Sequence, residues 1–147
     1  MPEKRVTVRV ASSSDRDSVW PLARDFATSF QPEKPIFDHS YAQLLESTDA
    51  LVIVATDGSS KIVGYLLAHL HLTFLANGPV AWVEEVMVRS DARRAGIGRS
   101  LMATAEAWAD ARGAAYLALA SRRAGEFYRA LGYDDSAVFF KKTLTAQ

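Results

Sequence analysis

The stretch VEEVMVRSDARRAGIGRSLM, from Val83 to Met102, changes character halfway along. Its first residues complete a strand that runs from Val80 to Val88, and its last open a long helix. Between them RRAGIGRS, Arg93 to Ser100, sets Gly96 and Gly98 among three arginines. Helix starts usually carry acidic or hydroxyl capping residues. Glycine and positive charge there imply that something negative and external is the cap. Unpaired amides point outward at a helix N-terminus, and glycine lets a ligand approach them with no Cβ in the way. Arg93, Arg94 and Arg99 would add charge around such a nest of amides, a set suited to a diphosphate. The same glycines would equally permit a tight turn and close packing of helix on sheet, and the residues alone leave both readings open. The stretch is neither a P-loop, since no Gly-Lys-Ser/Thr follows, nor the dinucleotide fingerprint, since Leu101 stands where the third glycine belongs.

Upstream, Val6, Val8 and Val10 alternate with Thr7 and Arg9 as a half-buried strand does. The SSSD cluster caps a helix marked by Val19, Leu22, Ala23, Phe26 and Phe30, which Pro32 and Pro35 are expected to break. Tyr41, Leu44 and Leu45 predict a second, short helix. Leu51–Thr56 reads as a buried strand, Asp57-Gly58 as a turn and Ile62–Phe74 as a long strand. Asn77-Gly78-Pro79 turns the chain into Val80–Val88, so these strands form an antiparallel meander. Downstream, Ile97, Leu101, Ala105 and Trp108 share a helical face that Gly113 ends. Tyr116–Ala120 is a short strand, Ala124–Leu131 a short helix and Ala137–Leu144 a last strand. Strand, helix, strand implies a parallel pair joined by a crossover. The expected fold is α/β (α+β): a mixed, mostly antiparallel sheet with a parallel pair, flanked by helices.

With 147 residues the chain suits a single domain, residues 1–147, that buries roughly two thirds of its unfolded surface. Lys+Arg and Asp+Glu number 17 each, so no global field draws it to nucleic acid or to an anionic membrane, and anion recognition must be local. No cysteine is present, which excludes disulfides, thiolate zinc sites and a cysteine nucleophile. No apolar leader core and no membrane span of roughly 20 residues is seen. A cytoplasmic protein is the expectation.

Val83–Met102 resembles the acetyl-CoA motif of the GNAT superfamily of N-acetyltransferases, Gln/Arg-x-x-Gly-x-Gly/Ala after a strand, with Arg93, Gly96 and Gly98 at the patterned positions. AGEFYRALGYDDSAVFFKKTL, Ala124 to Leu144, is similar to the same superfamily's C-terminal helix and strand. The resemblance runs from about Val80 to Leu144. It implies the GNAT acyl-CoA N-acyltransferase fold, with acetyl-CoA as co-substrate and no metal. The pyrophosphate would lie on Arg94, Ala95, Gly96, Ile97, Gly98, Arg99 and Ser100, and pantetheine would pair like an extra strand with Val86, Met87 and Val88. Many relatives place an asparagine after the fifth strand; Ser121 holds that position here and reaches less far.

The implied reaction is direct attack of a primary amine, of a small molecule or a peptide, on the thioester. Tyr128 matches the family's general acid near the sulfur, and its phenol carries a proton at neutral pH. Strand alternation puts Glu84 on the side of Trp82, Val86 and Val88, with Glu85 beside Val83 and Met87. The family often keeps a glutamate on this strand as base, and Glu84 is the choice, with Glu85 next. A strand amide, of Val86 or Met87, would polarise the carbonyl. The alternative is a non-catalytic acyl-CoA-binding module of the same fold. His69 and His71 share a strand face without an obvious third metal ligand and read as flanking an acceptor cleft. Phe30, Phe37, Phe74 and Trp82 either line that cleft or belong to the core, and Glu33 and Asp38 either attract a cationic amine or are ordinary loop acids. An exposed last strand pairing across a two-fold axis points to a homodimer.

Overall fold

The structure is a computed structural model that describes residues 5–93 and 95–145. The elements run β1 (Thr7–Val10), α1 (Arg16–Phe26), α2 (Lys34–Glu46), β2 (Ala50–Thr56), β3 (Ile62–Thr73), β4 (Gly78–Val88), α3 (Ile97–Ala111), β5 (Leu117–Leu119) and α4 (Gly125–Ala130), with one-turn 3-10 helices at Ser13–Asp15 and Ser90–Ala92. The strands stand side by side in chain order. β1 to β4 pair antiparallel, and β5 joins β4 parallel after the crossover through α3. This is the mixed, mostly antiparallel sheet that the sequence led us to expect.

Alternation on the central strands feeds two cores. Leu51, Ile53, Ala55, Val63, Leu66, Ala68 and Val83 face α3, where Ile97, Leu101, Met102 and Ala105 close over them. Val52, Val54, Ile62 and Tyr65 face the other way, toward Val19 and Leu22 of α1 and Tyr41 of α2. Burying each large aliphatic side chain contributes about 1.5–3 kcal/mol, so β2 and β3, buried on both faces, anchor the molecule.

Three expectations need correction. α1 already ends at Phe26 and Phe30 lies outside it, exposed. Pro35 falls in the first turn of α2, where its missing N–H removes no helical bond, so it opens the next helix, which is thirteen residues long. The expected strand Ala137–Leu144 does not form. Residues 134–145 run exposed with no backbone hydrogen bond among the described residues. Apolar alternation supplies strand propensity but not a partner edge, and β5 offers only three residues. No helix among the described residues is long and apolar enough to cross a membrane.

Candidate functional site

A further correction lies in β4. Leu67 pairs with Glu85 and Ala68 with Val83, which leaves Glu84 unmatched as a β-bulge. The bulge resets the alternation. Val83 packs on the α3 face together with Val86 and Val88, whereas Met87 packs on the α1/α2 face. Glu85 shares the side of Met87, as expected, and its Oε1 accepts a 2.6 Å hydrogen bond from the hydroxyl of buried Tyr65. Burial first, then the Glu85 carboxylate, pushes the Tyr65 phenol up, so Tyr65 remains a donor. Glu84 is exposed and makes no hydrogen bond or ion pair among the described residues.

β4 pairs with β5 only from Ala81 to Val83. Beyond Val83 the two parallel strands have parted, and Val86, Met87 and Val88 keep a strand partner only on the β3 side. Polar backbone groups on that free edge face outward and want a partner.

The first turn of α3 is seated beside this edge. A Cβ on Gly64 would come 3.0 Å from the Met87 carbonyl oxygen and 3.3 Å from Ile97 Cγ2, so a bare backbone in β3 lets α3 and the end of β4 approach. Gly96 precedes the helix at φ +77°, with no side-chain cap, and the first turn holds no acid. The first helical bond runs from Ser100 N to Gly96 O, so the amides of Ile97, Gly98 and Arg99 have no helical acceptor. The two glycines answer different needs. A Cβ on Gly96 would meet nothing within 4 Å, so its backbone angle requires glycine and leaves open space above. A Cβ on Gly98 would lie 3.2 Å from Phe127 Cζ, so Gly98 admits α4.

Arg93 donates from Nε to the Val88 carbonyl oxygen at 3.1 Å, tying the loop to the end of β4. Ser100 donates from Oγ to Gly96 O. Ala95 and Arg99 are exposed, and Arg94 lies outside the described residues. On α4, the Tyr128 ring meets Phe127 and Tyr133 edge-on, with centroids 5.0 and 5.9 Å away. Burial raises the Tyr128 pKa, and no hydrogen bond engages its hydroxyl among the described residues. Ser121 Oγ accepts from Ala124 N at 3.0 Å, opening α4, which leaves its O–H free to donate.

The acceptor-side residues divide. Phe37 is core, with its ring 5.2 Å from Trp20 and 5.7 Å from Tyr41. Asp38 is held by Lys34 at 2.8 Å and Arg16 at 3.4 Å. Phe30 and Phe74 are exposed, and Trp82 stacks on Phe139 at 6.4 Å. His69 lies opposite Trp82 and His71 opposite Val80. No metal-sized trio of His, Asp or Glu converges among the described residues. Sequence reasoning missed Gly64 and Tyr65. A lone glycine inside a buried strand signals close backbone approach, whereas nothing local marks Tyr65 as the partner of Glu85.

The family model described as Acetyltransferase (GNAT) family matches residues 16–133. The aminoglycoside N(6')-acetyltransferase type 1 of Acinetobacter genomosp. 13 is 32% identical over 122 residues, 74% of this chain and 83% of that protein. Among solved structures, a transcriptional regulator from Bacillus halodurans C-125 superposes with TM-score 0.87 at 26% identity, covering 95% of this chain and 100% of that one. The glucosamine-6-phosphate N-acetyltransferase from Arabidopsis thaliana has the same fold, with TM-score 0.85 at 18% identity over 96% of this chain and 99% of that one.

Proposed function

Because this chain belongs to the GNAT family of acetyltransferases, we propose that it moves the acetyl group of acetyl-CoA onto a primary amine of a small molecule by direct attack, with amino sugars the favoured acceptors. The observation that carries this reading is the unpaired edge of β4 beyond Val83, lying beside the uncapped first turn of α3. The strand edge suits the two amides of a pantetheine arm, and the helix amides suit a diphosphate. Arg93, Arg99 and Ser100 rim that turn, and the O–H of Ser121 is free to serve the same arm. The acceptor class rests on the 32% identical relative, whose substrate is an aminoglycoside. Cytoplasm is the compartment we assign it, and a chain without cysteine needs no disulfide that a reducing compartment would break.

The chemistry needs three groups. Glu84, exposed at the bulge, first takes a proton from the substrate ammonium, and the lone pair so freed attacks the thioester carbonyl to form the new C–N bond. An amide of Val86 or Met87 steadies the carbonyl oxygen as it gains charge. The C–S bond then breaks, and the free hydroxyl of Tyr128 donates to the departing thiolate. Its raised pKa keeps that proton in place through the neutral range. Glu85, held by Tyr65, supplies a second fixed negative charge on the acceptor side, which favours a cationic substrate.

The test begins with calorimetric titration of acetyl-CoA and continues with a panel of amino sugars. Tyr128→Phe and Glu84→Gln each lower kcat by about 100-fold while acetyl-CoA affinity is largely kept. With Tyr128 raised above its ordinary value, kcat of the wild type shows no alkaline fall below about pH 10. Binding of acetyl-CoA with no amine acetylated would return the chain to the class of acyl-CoA-binding modules.

A further inference from the structure

Among the described residues Glu85 is the one glutamate that is not exposed. A carboxylate drawn partly out of water needs a counter-charge or a full set of donors. Asp15 has Arg9, and Asp38 has Lys34 and Arg16, whereas Glu85 makes no ion pair among the described residues. Its partner is neutral: the Tyr65 hydroxyl, which donates to Oε1 at 2.6 Å. Oε2 is left without a donor among the described residues. Glu84, the next residue, adds a second carboxylate that is likewise without an ion pair. Two such charges side by side favour the arrival of positive charge.

Tyr65 is well placed to hold its neighbour. It is buried in the core under α1 and α2 with Val19, Tyr41, Val52 and Val54. On β3 it lies opposite Met87, and Glu85 lies opposite Leu67, so the bond runs diagonally across two paired strands. Burial first, then the adjoining carboxylate, raises the phenol and keeps its proton in place as a donor. A strand glutamate otherwise samples several rotamers, and a ligand must order them. With Oε1 fixed from beneath, Oε2 stands ready without that cost. The bulge thus separates two adjacent glutamates into a free one, Glu84, and a held one, Glu85.

We propose that Glu85 determines specificity for a second ammonium group on the acceptor, distinct from the amine that is acetylated, and that Tyr65 is the positioning residue that presents it. Resting on the amine acetyltransferase reading above, this narrows the acceptor to amino sugars with at least two amines. Successive Cα atoms stand about 3.8 Å apart, so the two carboxylates address two amines of one small molecule. Glu84 meets the amine that reacts, and Glu85 Oε2 accepts from the ammonium that does not. A hydroxyl in place of that ammonium brings no charge to a half-buried carboxylate.

The probes are a diamino sugar and its counterpart in which the amine that is not acetylated is replaced by hydroxyl. Both are titrated by calorimetry into protein saturated with CoA, which carries no acetyl group, so binding is read without turnover. The wild type binds the diamino sugar about tenfold more tightly than its counterpart. Glu85→Gln abolishes that preference, and Tyr65→Phe, which keeps the buried ring, removes most of it. Both variants bind the monoamine within about twofold of wild type, and joining Tyr65→Phe to Glu85→Gln costs nothing more. Equal affinity of the wild type for the two sugars overturns the proposal, as does binding of neither. A preference that survives Tyr65→Phe overturns it too. So does a Tyr65→Phe variant that weakens both sugars alike, since that is the mark of a merely structural tyrosine. Acetylation of the same sugars with acetyl-CoA is measured apart: its absence counts against the proposed reaction and leaves the binding contrast standing, whereas acetylation with no binding contrast supports the reaction and removes the role of Tyr65 and Glu85.

Discussion

Gly96 and Gly98 sit in one motif, yet each is glycine for its own reason. At φ +77° a side chain on Gly96 would strain the backbone by about 1–2 kcal/mol, whatever room surrounds it. A side chain on Gly98 would press on Phe127, the neighbour of Tyr128. The two alanine variants should therefore fail differently. Gly96→Ala turns the first-turn amides and weakens acetyl-CoA binding by about tenfold, equal to about 1.4 kcal/mol. Gly98→Ala shifts α4 and with it Tyr128, so kcat falls more than acetyl-CoA affinity does. Calorimetry beside steady-state rates checks the split, and equal losses in both variants would sink it. The motif's spacing was legible in the sequence. That one glycine answers to torsion and the other to a ring from far downstream was not, because only the packed α4 brings Phe127 there.

The element that organises the site is β4, through its bulge and its seat under α3. Period-two reading assigns faces correctly from Glu85 onward and fails at Val83, because one inserted residue inverts every face before it. No residue type announces a bulge. The α3 contact depends on Gly64, whose hypothetical Cβ meets a backbone carbonyl at 3.0 Å, an atom that cannot swing aside. Gly64→Ala should cost about 1–3 kcal/mol through overpacking. It should also loosen acetyl-CoA binding, since lifting α3 separates its amides from the β4 edge. Thermal unfolding and calorimetry on the same variant test this, and an unchanged melting temperature would show that the helix yields easily. By contrast, α3 itself was fully readable. Its buried residues Ile97, Leu101, Met102, Ala105 and Ala109 follow helical spacing because one stripe meets one sheet face.

At the scale of the molecule, the first strand and first helix are locked together by charge. Arg9 of β1 grips Asp15 at 2.7 and 2.9 Å, and the Ser12 amide adds a third bond. The Arg9 hydrogen bond, ahead of the Ser12 bonds that assist it, lowers Asp15 from 3.8 to about 2 against the opposing effect of burial. The folded pKa is depressed, so this stability is fully present above about pH 4 and is lost as pH falls toward 2. Its ceiling is about 2 kcal/mol, and because the Arg9 side chain is 44% exposed, screening leaves about 1 kcal/mol. Denaturant unfolding at pH 7 and pH 2.5 should show Asp15→Asn destabilised at the first and by less than half as much at the second. An equal deficit at both would remove the pair from the acid response. The sequence by itself determined the order of elements, the apolar faces of β2, β3 and α3, and the glycine-rich turn from strand to helix. These follow from local periodicity and backbone sterics. Tertiary structure alone decided the Glu84 bulge, the hold of Tyr65 on Glu85, the removal of Phe37 to the core and the unpaired tail, because each depends on a contact between residues far apart in the chain.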